Sequence, residues 1–116
     1  MKKNFIDQNS STRKALNKIN KLGGQSLIVV KDKNILKGIL SSADLRKAII
    51  NKNILNKNIS KIFNKKPKFD FFDEIKKNLP NLYSKVKTLT TIPVIERKNR
   101  RIVDVLTAEK LKNLKT

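Results

Sequence analysis

The chain of 116 residues contains no cysteine, no histidine and no tryptophan. Without thiols it forms neither a disulfide nor a thiolate zinc site, and without imidazole it lacks the commonest metal ligand and the usual general base near neutral pH. Most hydrolytic and metal-dependent chemistry is thereby closed. Three glycines leave no Walker-type phosphate loop, and no nucleophile stands with a base, nor carboxylates in pairs, on a recognisable motif, so an enzyme is not expected. Apolar runs such as LIVV at 27–30 are strand-sized and far short of a bilayer crossing, which excludes a membrane span. The opening stretch MKKNFIDQNSST holds no apolar segment of signal-peptide length, so a cytoplasmic location is expected.

Acidic residues are scarce as well: 9 Asp and Glu face 28 Lys and Arg, for a formal net charge of +19. Such an excess raises the prospect of a polyanionic partner. The basic residues, however, run from Lys2 to Lys115 across expected helices, turns and tails alike, as a solvated basic surface would have them. Aromatics make up 5% of the chain, too few to interleave with a basic stripe as stacking platforms for nucleic acid. A basic nucleic-acid-binding domain therefore stays as an alternative, with nucleic acid disfavoured as a partner.

What is present suits one compact soluble domain. Hydrophobic residues are 38% and charged residues 32%, mean hydropathy is −0.48, and a chain of this length buries roughly 65% of its unfolded surface. Ser10, Ser11 and Thr12 offer N-caps to a helix with Ala15, Leu16, Ile19 and Leu22 on one face, stopped by Gly23 and Gly24. Leu27–Val30 and Ile35–Leu40 read as strands joined by KDKN, where Asp32 and Asn34 tolerate tight-turn dihedrals. Ser41 and Ser42 cap a second helix with Leu45, Ala48 and Ile49 inward, ending near Asn51.

From Lys52 to Phe69 the chain is polar and broken by Pro67, as a linker anchored on a core by Ile54, Leu55, Ile59, Ile62 and Phe63 would be. FDFFDE at 69–74 reads as a core anchor beside a helix start. The pattern predicts helix over Asp73–Leu79, an interruption at Pro80 and a second stripe through Leu82, Tyr83, Val86 and Leu89. Ile92–Ile95 and Arg101–Leu106 read as strands around ERKNR, and Thr107 opens a last helix through Leu111 and Leu114.

Set side by side, SLIVVKDKNILKGILSSADLRKAI and TIPVIERKNRRIVDVLTAEKLKNL match element for element with a period of about 66 residues. Neither half carries enough apolar surface alone, so the expectation is a mixed fold, α/β of the α+β type, in which two similar halves pack about an approximate two-fold axis with a cleft between them. One module over 1–116 is expected, with repeat one at about 5–51, a linker at about 52–69 and repeat two at about 70–116.

Ser41 stands where a strand hands over to a helix, so its hydroxyl and the free amides of the first turn suit an anion such as phosphate. Asp44, with two acceptor oxygens, suits the hydroxyl pair of a ribose. The same spacing also fits a capping box, in which both side chains merely satisfy helix amides. Both readings are open at this point.

GILSSADLRKAI at 38–49, with the glycine-stopped helix and LIVVKDKNILK before it, resembles the tail of a cystathionine β-synthase (CBS) motif. NKNILNKNISKIFNKKP resembles the linker of CBS pairs, or Bateman modules, attached to sugar-phosphate nucleotidyltransferases and isomerases, and IPVIERKNRRIVDVLTAEKL resembles their second half. The resemblance covers nearly the whole chain. It implies a non-catalytic regulatory module with no resident cofactor, binding an adenosine-type nucleotide such as AMP, ATP or S-adenosylmethionine. It implies ligand contacts at Ser41 and Asp44, with Leu27, Ile92 and Pro93 against the adenine and Thr107 keeping the hydroxyl of the second repeat. It further implies a homodimer and an attached enzyme domain, the chain being the amino-terminal part of a nucleotidyltransferase. A ligand-free dimerisation module is the alternative. Repeat two departs from the motif: Asp104 replaces the glycine, and Lys110 stands where the ribose-binding aspartate belongs, so one competent site at most is expected.

Overall fold

The computed structural model describes residues 3–52, 55–77, 80, 91–107 and 110. It divides into two compact units, the first holding residues 1–33 and 37–67 and the second residues 34–36 and 68–116. Among the described residues the secondary structure is mixed, with two three-stranded sheets and two α-helices.

The first unit opens with β1 (Phe5–Asp7), continues into α1 (Thr12–Lys21) and returns as β2 (Leu27–Lys31). β1 and β2 pair in parallel, Phe5 beside Ile28 and Asp7 beside Val30. β3 (Ile35–Leu40) follows, and the sheet order is β1-β2-β3. The turn between β2 and β3 places Asp32 and Asn34 at φ 47° and 63°. Short polar side chains tolerate that left-handed region, which is why KDKN closes this hairpin.

α1 has both ends closed by local chemistry. Ser11 Oγ accepts from the Lys14 N–H at 3.0 Å. At the other end the Gly24 N–H reaches the Ile19 carbonyl and the Gly23 N–H that of Asn20, the two bonds of a Schellman stop. That stop needs left-handed backbone, and the two glycines supply it at φ 67° and 89°. α2 (Ser42–Lys52) lays Leu45 and Ala48 inward. The core of this unit gathers Ile6, Ala15, Ile19, Leu27, Leu40 and Leu45 with Ile59 and Phe63. Full burial of one such aliphatic side chain contributes about 1.5–3 kcal/mol.

Residues 55–67 are built into this core. A 3-10 turn at Ile59–Lys61 buries Ile59 completely. The chain before it bridges Ser11 through Asn58, and the chain after it bridges Ile39 through Asn64.

The second unit repeats the strand pattern. β4 (Asp70–Phe71) pairs in parallel with β5 (Ile92–Ile95), which pairs antiparallel with β6 (Ile102–Leu106). Ile92 faces Leu106 and Pro93 faces Val105, and the register shifts between Val94 and Ile95. Residues 34–36 belong here through the bridge of Ile35 to Arg101, with the Leu36 N–H on the Arg100 carbonyl at 3.0 Å.

Three expectations change. The short strands β1 and β4 escape the sequence pattern, because segments of two or three residues carry no measurable alternation. The helix expected from Asp73 is, over the described residues, a 3-10 turn at Phe72–Glu74 followed by further turns to residue 77. β6 starts at Ile102, one residue later than expected, since Arg100 adopts φ 61° to close the turn before it. The stripe expected at 82–89 and the helix body expected at 111–114 lie outside the described residues.

Candidate functional site

β3 ends at Leu40 with its side chain fully buried, and α2 begins at Ser42. Ser41 is the joint. Its Oγ accepts from the Asp44 N–H at 3.1 Å, and its carbonyl accepts from the Leu45 N–H at 3.1 Å. The Ser41 side chain is therefore an N-cap that satisfies one orphan amide of the first turn.

A complete capping box would also carry a bond from the Asp44 carboxylate back to the Ser41 N–H. That half is not made. Among the described residues the Asp44 carboxylate has no hydrogen-bond or ion-pair partner, and the residue is exposed. The two readings of the pair are thus split: the serine serves the helix, while the carboxylate keeps its acceptors at the positive end of the helix dipole.

Leu27, also of the first unit, is fully buried in the hydrophobic cluster. Ile92, Pro93 and Thr107 belong to the second unit. Ile92 and Pro93 are buried on β5, and the register puts Ile92 opposite Leu106, one residue before Thr107.

Thr107 repeats the chemistry of Ser41. Its Oγ1 accepts from the Lys110 N–H at 3.2 Å, the same three-residue offset. The Lys110 ammonium turns back to Asp104, 2.7 Å from Oδ1. The two departures of repeat two from the motif are therefore partners: the carboxylate standing in place of a glycine holds the lysine standing in place of an aspartate. Sequence reasoning misses this pairing because an offset of six that crosses from a strand through a cap to a helix matches no standard spacing.

A second polar cluster of the second unit involves FDFFDE. Arg97 bonds Asp73 through Nε and Nη2 at 3.1 Å each, reaches Glu74 at 2.9 Å and lies 4.0 Å from the centre of the Phe71 ring. Arg100 lies 4.8 Å from the Phe69 ring, which meets Phe71 edge-on at 5.2 Å. Phe69 and Phe71 are half-buried and Phe72 is exposed, so the segment anchors the ERKNR turn by cation–π contact rather than filling a core.

Residues 2–51 match the CBS domain family. No curated protein matches the chain in sequence. Solved structures do match nearly its full length. Staphylococcus aureus OpuCA superposes with a TM-score of 0.75 at 16% identity, over 98% of this chain and 92% of that one. The CBS domain pair of protein MJ0100, in complex with 5′-methylthioadenosine and S-adenosyl-L-methionine, gives 0.67 at 26% identity, over 99% and 94%. The CBS domains of a transcriptional regulator from Streptococcus pneumoniae give 0.70 at 14%, over 94% and 86%. The fold is that of a CBS domain pair.

The glycine that opens the first motif has a steric role. A Cβ on Gly38 would overlap the Asn64 carbonyl and the Phe63 ring, so the return of residues 63–64 over β3 requires a bare backbone there. Asp104 occupies the corresponding place on β6 with its side chain 40% exposed, which shows that this position of the second repeat is open enough to take a side chain. Among the described residues no helix is long and apolar enough to cross a membrane.

Proposed function

We propose that this CBS pair is a non-catalytic regulatory module that binds an adenosine-type ligand, such as AMP, ATP or S-adenosylmethionine, through Ser41 and Asp44. The Asp44 carboxylate, exposed and without a partner among the described residues, carries the reading. A carboxylate left with both oxygens available, one turn into a helix whose cap is already satisfied, suits a ribose diol, and the remaining free amides of the turn suit phosphate or another anion. The likeness to the MJ0100 pair, at 26% identity and bound to two adenosine derivatives, supports the ligand class. In repeat two, Lys110 has no acceptor to offer and is engaged by Asp104, so Ser41 and Asp44 make the single competent ribose site.

The module acts in the cytoplasm as a homodimer and passes occupancy to an attached enzyme. A sugar-phosphate nucleotidyltransferase is the partner that the linker resemblance favours. Ligand binding stabilises one arrangement of the module, and the enzyme responds to the shifted population.

Calorimetry with AMP, ATP and S-adenosylmethionine tests the reading. At least one should bind, and Asp44→Ala should weaken it tenfold or more while the helix stays folded, since a first-turn carboxylate contributes only about 0.3–1 kcal/mol to its helix. Absence of binding by all three, or equal affinity in wild type and variant, rejects it. A ligand-free dimerisation module is the second reading, favoured by Ile50, which is 80% exposed on α2. Under it, light scattering shows a dimer that Ile50→Lys disrupts and no nucleotide changes.

A further inference from the structure

The outward face of α1 borders a cavity of about 620 Å3 lined by Lys3, Arg13, Lys14, Lys18 and Lys21, with Leu22 contributing an apolar wall. All of it lies in the first unit, and neither Ser41 nor Asp44 contributes to it. Among the described residues no carboxylate lines the cavity, and none of the five cations forms an ion pair. Its size falls in the range of small-molecule sites.

Several observations set this face apart from an ordinary solvated one. Lys14, Lys18 and Lys21 follow offsets of four and three, so they form one row along about 10 Å of helix. Arg13 and Lys14 sit at the positive end of the α1 dipole, where no acidic residue of the first turn offsets them, an arrangement that disfavours cations and favours a bound anion. Lys18 is half-buried, and its ammonium donates to the Phe5 carbonyl. Its pKa is lowered, first by burial and then by the charge of Lys14. The helix therefore concentrates like charge around a concavity and fixes one of its ammonium groups in place.

We propose that this cavity is a binding site for a small oligophosphate anion. A single phosphate would meet part of the lysine row, whereas linked phosphates meet it along its length. No aromatic ring lines the cavity among the described residues, so it offers no platform on which nucleic-acid bases would stack. The aliphatic stems of the lysines and Leu22 shield the charged contacts from water on one side, which strengthens them relative to an open surface.

Calorimetry at 0.15 M salt with sodium tripolyphosphate and with orthophosphate as probes tests the site. Three variants decide it: Lys14→Gln/Lys18→Gln/Lys21→Gln, the double variant Lys14→Gln/Lys21→Gln that keeps the Lys18 bond to Phe5, and Lys47→Gln/Lys61→Gln/Lys66→Gln as a control with the same net charge as the first. Tripolyphosphate should bind wild type and control alike, bind both α1 variants at least tenfold more weakly, and exceed orthophosphate at least tenfold. Asp44→Ala should leave its affinity unchanged, which separates this site from the adenosine reading. Equal losses in the control and α1 variants would show attraction by net charge alone and overturn the proposal. So would α1-dependent binding of a DNA duplex or an acidic peptide without binding of tripolyphosphate.

Discussion

Gly38 and Thr12 show how single residues of the first unit are constrained by what covers them. At Gly38 the Phe63 ring and the Asn64 backbone leave no room for a methyl group, and backbone cannot swing aside as a flexible side chain can. Gly38→Ala should therefore cost about 1–3 kcal/mol, as overpacking does elsewhere. Urea denaturation measures it, and a variant as stable as wild type would mean that residues 63–64 lift off β3 freely. Thr12 presents the opposite case. Its side chain is fully buried, and among the described residues its hydroxyl has no partner. A buried hydroxyl without a hydrogen bond costs about 1–3 kcal/mol on mutational scales, so Thr12→Val, close in shape, should match or exceed wild-type stability. A loss above about 1 kcal/mol in the same denaturation experiment would reveal a bond that the hydroxyl makes in solution.

At the scale of elements, the ERKNR turn is held from outside by β4 and the 3-10 turn that follows it. The Arg97 hydrogen bond is the largest cause holding the Asp73 carboxyl below its ordinary value, and the same bond raises the Arg97 guanidinium. A depressed folded-state value means that the pair contributes stability above the ordinary carboxylate range and loses it as pH falls through the folded value. Carboxyl titration by NMR should find Asp73 below that range in wild type and returned upward in Arg97→Gln. Both groups are exposed, so 0.5 M salt should shrink the difference. If Asp73 titrates identically in the two proteins, the pair does not persist in solution. This cluster also marks the limit of what the sequence reveals. The hairpins and both caps of α1 are legible, because turn residues, cap residues and apolar periods act within a few positions of one another. Arg97 and Asp73 lie 24 positions apart, and the parallel pairings of β1 with β2 and of β4 with β5 join segments remote in the chain, so neither leaves a local mark. The candidate site is half legible in the same sense: the spacing of Ser41 and Asp44 gives the cap, but not which of the two side chains the cap consumes. The lysine row of α1 has helical spacing in plain view, yet a chain rich in lysine throughout hides it.

For the whole molecule the imbalance of 28 basic against 9 acidic residues decides how stability responds to salt. Two effects oppose each other. Screening weakens exposed pairs such as Arg97–Asp73 and Lys110–Asp104, which water already screens strongly. Screening also relieves repulsion among the remaining cations, which the folded state crowds together and the unfolded chain disperses. With a net charge of +19, repulsive pairs far outnumber attractive ones, so the second effect should win. Raising sodium chloride from 0.01 M to 0.1 M shortens the screening length from about 30 Å to about 10 Å, below the span of a domain this size. Tm should rise over that interval, by roughly 4–8 °C for each kcal/mol of repulsion removed. The Lys14→Gln/Lys21→Gln variant, which relieves part of the α1 row, should start with a higher Tm at low salt and gain less as chloride is added. A Tm that falls with salt in wild type would show instead that the few ion pairs dominate the electrostatics of the fold.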